Sequence, residues 1–114
     1  METSVILEVA ILNVRAGSAS DFEWSFAQAA PILAASPGYI SHELRSCVEV
    51  KDRYILLVTW RSIEDHTIGF RGSVAYQEWK ALLHHYYDPF PVVEHYAPLQ
   101  LQPVPAIAKP ADGR

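Results

Sequence analysis

Residues 5–15 are apolar in both alternating phases: Val5, Leu7, Val9 and Ile11 on one side, Ile6, Ala10, Leu12 and Val14 on the other. Successive strand residues point to opposite faces, so this pattern predicts a strand buried on both. Glu8 interrupts it, in phase with Ala10 and Leu12. The expectation is an exposed carboxylate at the start of the strand; the alternative is a buried one, whose pKa rises unless it is paired. After "RAGSASD", Phe22, Phe26, Ala29 and Leu33 recur at helical spacing. Ser18 and Asp21 are placed for a capping box, and Pro31 for a kink or a fresh turn. "SPGYISHELRSCVEV" reads as a turn and a second strand, "KDR" as the next turn, and "YILLVTWR" as a third strand, again apolar on both faces.

Ser62 and Asp65 repeat the cap signal and open a short helix through Phe70, on which Ile63, His66, Thr67 and Phe70 share one stripe. A longer helix is predicted from Ser73 to Tyr87, ending before Pro89 because a residue ahead of proline avoids helical geometry. "PVVEHYAPL" is the fourth strand. The order βαββαβ predicts a ferredoxin-like α+β fold with a four-stranded antiparallel sheet over residues 1–97, and a Pro-rich arm or tail over residues 98–114. Two helices cover one face of such a sheet, yet the central strands are apolar on both. Either a second copy of the chain packs sheet to sheet, giving a homodimer, or the C-terminal arm folds back; the dimer is the simpler solution.

Composition removes several classes. The 114 residues suit one domain, and a net charge of −4 without a basic run argues against a nucleic-acid partner. The single cysteine, Cys47, excludes an intrachain disulfide and a cysteine-based metal site. The N-terminal apolar run has no preceding positive charge or cleavage site, so no leader or membrane span is expected, and a cytoplasmic location is.

Five histidines are the obvious candidates for chemistry. In "LLHHYYDPF", projection at about 100° per residue puts Tyr76, Trp79, Leu83 and Tyr86 on the packed side of the last helix. His84 and His85 fall on its polar flanks, splayed apart, and read as solvated. Ligand pairs on helices sit three or four residues apart, so "HH" is no chelate, and nothing has zinc or iron spacing. His66 faces the sheet among apolar neighbours, where a hydrogen-bonded core role and a pocket role both fit. His42 and His95 lie on strands and can face inward. Trp60 closes the third strand, as a core aromatic or as the wall of a planar-ligand site. Arg71 either binds an anionic ring substituent or pairs with Glu78.

"SPGYISHEL", "LLVTWRSIEDH" and "FRGSVAYQEWKALL" together resemble the antibiotic biosynthesis monooxygenase family, over roughly residues 5–97. The resemblance implies a dimeric α/β barrel built from ferredoxin-like subunits. Within the family it points away from haem degradation: the asparagine and haem-ligating histidine of those members align with Ala10 and Lys80, and only Trp60 is retained. In many other members a histidine stands where this chain has Tyr76. What the resemblance implies is oxidation of an electron-rich phenol, hydroquinone or polyketide-like aromatic by O2 without metal, flavin or other cofactor. On that reading His66 or His95 is the base, Tyr76 and Arg71 stabilise the oxyanion, and Trp60 and Phe70 line the substrate site. A non-catalytic ligand-binding or assembly module, and an isomerase or decarboxylase, are the competing readings.

Overall fold

The residues of β1 (Ile6–Asn13) pair antiparallel with those of β3 (Arg53–Trp60), from Ile6 opposite Trp60 to Asn13 opposite Arg53. In this computed structural model residues 5–103 are described. β2 (Tyr39–Ser46) pairs with β3, and β4 (Val93–Tyr96) pairs with β1. The sheet order is therefore β2-β3-β1-β4, antiparallel throughout, the ferredoxin-like α+β arrangement expected from the pattern. Helix α1 (Ala19–Ala34), a π-helical turn (Asp65–Phe70), helix α2 (Val74–Leu83) and a 3-10 turn (His84–Tyr86) cover one face.

Register decides which phase of each strand meets the helices. Ala10, Leu12, Leu56 and Val58 are buried there against Phe22, Phe26, Ala29 and Leu33, the stripe predicted for α1. The opposite phase, with Leu7, Val9, Ile55, Leu57 and Thr59, is only half-buried, and Ile11 is exposed. The second apolar face is thus left uncovered by the described residues. The described part of the C-terminal segment does not fold back over it: Leu99 is 80% exposed and Leu101 78%. Residues 104–114, most of the predicted arm, lie outside the described residues.

Several local expectations are corrected. α1 runs through Pro31 to Ala34, so no fresh turn starts at the proline, which is exposed on the last turn. Ser18 is its N-cap but makes no side-chain cap bond, and Phe22 N–H donates to the Ser18 carbonyl instead. The predicted single helix from Ser73 to Tyr87 is two elements. Leu83 departs from α geometry as it leads into the 3-10 turn (φ −121°), and that turn changes the rotational phase of everything after it. At its start, where the helix is predicted to begin, Ser73 is the N-cap, its Oγ accepting from Tyr76 N–H at 3.1 Å. Tyr86 anchors the 3-10 turn to α1 rather than to the sheet, through its hydroxyl to Ser25 Oγ (2.9 Å). β4 is four residues, shorter than the segment 91–99 predicted.

Candidate functional site

A cavity of about 460 Å³ lies between the sheet and the layer formed by the π turn, α2 and the segment after it, a size that suits a small molecule. Ala10, Leu12, Leu56 and Val58 form its floor, and Phe70, Tyr76, Trp79, Tyr87 and Phe90 its aromatic walls. Four groups bring charge or protons into it: Glu8, His66, Arg71 and His84.

Glu8 is not the exposed residue expected. It is 7% exposed, because its phase on β1 is the helix-facing one and β3 and β4 flank it on both sides. It is paired: Trp60 Nε1–H donates to Glu8 Oε1 at 2.9 Å, and His66 Nε2 lies 3.5 Å from the same oxygen. His66 Nδ1 is 2.8 Å from His95 Nε2, so one line of contacts runs from Trp60 through Glu8 and His66 to the edge strand β4. The Trp60 indole stacks on the His66 ring, with centroids 5.2 Å apart and 16° between planes. Burial raises the Glu8 pKa, opposed by the Trp60 hydrogen bond and the Arg71 charge.

The π turn sets His66 in place. Ser62 Oγ accepts from Asp65 N–H at 3.1 Å and donates to Asp65 Oδ2 at 3.0 Å, starting the turn as predicted. Its wide winding, with Arg71 N–H donating to the His66 carbonyl at 3.0 Å, buries His66 and Phe70 while Ile63 is exposed, unlike the predicted stripe. Gly38 makes room for it. Its φ is +86°, and a Cβ there would overlap the Asp65 carboxyl group.

Of the predicted site residues, His66, Phe70, Arg71 and Tyr76 line the cavity. Trp60 does not: it is fully buried behind His66 and Phe70 and acts as a backing, not as the wall. His95 also stands behind His66, half-buried on β4. Arg71 forms no ion pair among the described residues, so the Glu78 alternative is not realised. His84 was placed on a solvated flank by helical projection. Instead the change of phase after Leu83 turns it into the cavity, where its ring meets Tyr76 and Phe90 edge-on. His85 is exposed as expected, and His42 faces inward to Tyr39 Oη at 2.6 Å, outside the cavity. Among the described residues, no three or more His, Cys, Asp or Glu side chains converge so as to hold a metal ion.

Burial lowers the His66 pKa from 6.5 to about 3, helped by the charges of Arg71 and His95. The unfolded chain therefore takes up a proton below pH 6.5 that the folded one refuses. The stabilising contribution is complete above that pH and is lost as pH falls toward 3, at up to about 1.4 kcal/mol per pH unit. His84 and His95, also lowered, act in the same direction. Glu8, raised from 4.5, acts oppositely: its contribution is present below 4.5 and lost as pH rises through its folded value. Urea unfolding between pH 7 and 5 is expected to show declining stability for the wild type and a flatter dependence for His66→Gln. Equal slopes would contradict it.

Fold and site together define a ferredoxin-like α+β protein with an aromatic cavity on its helical side, backed by a buried carboxylate and two imidazoles. The profile of the antibiotic biosynthesis monooxygenase family matches residues 5–82, and the chain belongs to that family. The uncharacterized protein YczJ of Bacillus subtilis (strain 168) is 53% identical over 92 residues, covering 81% of this chain and 97% of YczJ. A crystal structure from Bordetella bronchiseptica that carries the family's name superimposes with a TM-score of 0.81 at 32% identity, covering 85% of this chain and 99% of that one. SnoaB of Streptomyces nogalater, a cofactor-independent oxygenase, shares the fold with a TM-score of 0.66 at 20% identity, covering 90% of this chain and 98% of SnoaB. Among the described residues no helix is long and apolar enough to cross a membrane.

Proposed function

We propose that the cavity oxidises an electron-rich phenol or hydroquinone with O2. The observation that carries this reading is the aromatic-walled cavity with a buried proton-handling cluster, Glu8, His66 and His95, at one end and Arg71 beside it. Phe70, Tyr76, Tyr87 and Phe90 hold a planar ring and keep water away from it. Loss of a phenolic proton to the cluster makes the ring a better electron donor. The phenolate gives one electron to O2, the two radicals combine to a peroxide, and loss of water leaves a carbonyl, with one oxygen atom in the product and one in water. Tyr76 and Arg71 stabilise the oxyanion. The one-electron oxidant is O2 itself, in line with the description of SnoaB.

Oxygen uptake with a panel of hydroquinones and anthrones, with and without chelator, tests this. Uptake that survives chelation and falls about 10²-fold or more in His66→Ala supports it, with a smaller loss in His95→Ala. Near-complete turnover in both variants removes the cluster from the chemistry. Saturable binding without any uptake makes the protein a ligand-binding module.

The working form in this reading is a homodimer joined through the outer face of the sheet. Leu7, Val9, Ile55 and Leu57 form its apolar centre and Glu43 and Arg45 a charged rim, the layout of a buried interface. Sedimentation at micromolar concentration should give a dimer, and Leu57→Lys should shift it toward monomer. A wild-type monomer would rule this out.

A further inference from the structure

We infer that Glu8, rather than either histidine, is the group that takes the substrate's proton, and that His66 and His95 are positioning residues that hold a donor toward it. The hydrogen-bonding capacities of the cluster carry this. An indole N–H can only donate, so Glu8 Oε1 is an acceptor at 2.9 Å from Trp60 Nε1. An ionised Glu8 orders the rest. His66 carries its hydrogen on Nε2, facing Oε1 at 3.5 Å, a separation that a bound substrate can tighten. Its Nδ1 is then an acceptor, and His95 Nε2–H donates to it across 2.8 Å. Every hydrogen in the line points toward the carboxylate. His66 Nδ1 is engaged by His95 and its Nε2–H is turned toward Glu8, so in this tautomer it has no lone pair left for a substrate. His95 does not line the cavity, whereas Glu8 does.

The part Glu8 plays in turnover rests on the proposed oxidation; the polarity of the hydrogen-bonded line does not. In the proton step, the phenolic O–H bond breaks, its electron pair stays on the substrate oxygen, and a carboxylate oxygen of Glu8 forms the new O–H bond. The substrate, not the protein, is oxidised by O2. Glu8 then returns the proton to the peroxide as water leaves, and the carboxylate is restored. Burial makes this carboxylate a stronger base than one in water, while Trp60 and Arg71 keep it from being neutralised outright.

The test begins with the native protein and no substrate. Long-range 1H–15N spectra of 15N-imidazole-labelled protein at pH 7 should show His66 protonated on Nε2 and bare on Nδ1. The opposite tautomer overturns the inference, because it requires a line of donors pointing away from Glu8. Next, a chromogenic nitronaphthol is bound without oxygen. The wild type should bind it as the naphtholate and Glu8→Gln as the neutral naphthol; identical spectra overturn the assignment. With a dihydroxyanthrone and O2, Glu8→Gln should lower kcat by about 10²–10³-fold. His95→Leu should lower it about 10-fold, with recovery in His95→Gln, whose amide retains a donor for His66 Nδ1. Absence of oxygen uptake by the wild type would defeat the oxidation reading alone, since the tautomer and naphtholate measurements decide the polarity without it.

Discussion

Trp60→Ala is expected to lose about 3–5 kcal/mol of stability, the range for removing a large buried aromatic. Trp60 is fully buried, and its indole is stacked on His66, tilted against Phe70 and edge-on to Tyr39, so the void left behind touches both the π turn and β2. The polar consequence is separate. Without the indole N–H, Glu8 Oε1 loses its 2.9 Å donor, and the Glu8 pKa rises further. Trp60→Phe separates the two effects: it fills most of the volume and removes only the donor. Urea unfolding at pH 7 should therefore rank the variants wild type, Trp60→Phe, Trp60→Ala, with the larger step between the last two. A Trp60→Phe protein as unstable as Trp60→Ala would mean that the hydrogen bond, not the packing, dominates.

Gly38→Ala is expected to cost about 2–4 kcal/mol. Two effects add. The positive φ of +86° strains any side chain, and the new Cβ would overlap Asp65, whose carboxyl group accepts from Ser62 and starts the π turn. Moving Asp65 moves the turn, and with it His66. Gly17 is the control. Its φ is +82° but nothing lies within 4 Å of the added carbon, so Gly17→Ala carries the strain alone, about 1–2 kcal/mol. Thermal unfolding of the two variants, with oxygen uptake measured alongside, should show Gly38→Ala as the less stable and the only one with impaired turnover. Equal losses of stability would mean that Asp65 yields freely.

The fold was legible because its largest signals are periodic. Two strands apolar in both phases, a Phe22–Leu33 stripe and the βαββαβ order leave few arrangements. The site was less so, for reasons visible at individual residues. Glu8 shares a phase with Ala10 and Leu12, and that phase was the available clue; its burial became certain only once Trp60 and His66 supplied donors, and these are 52 and 58 positions away in the chain. His84 was misplaced by one assumption, that a helix keeps its winding to the end. The same assumption hid Tyr87 and Phe90, which reach the cavity only because the chain tightens after Leu83. Trp60 at the end of its strand suited both a core aromatic and a wall; His66 occupies the space in front of it, and the core reading is the one realised.

The π turn at Asp65–Phe70 has a bearing on how this chain tolerates insertion and loss of residues. A π winding holds about one residue more per turn than an α-helix. Deleting a single residue from "DHTIGF" would let the segment relax to ordinary α geometry without shortening its reach by much. His66 and Phe70 would stay neighbours, at i,i+3 or i,i+4, but the segments on either side would turn relative to each other by about 100°, one residue's rotation, and the imidazole would rotate away from Glu8. A one-residue change of length in this segment is therefore expected to take the carboxylate–imidazole pair apart while leaving the apolar hollow in place.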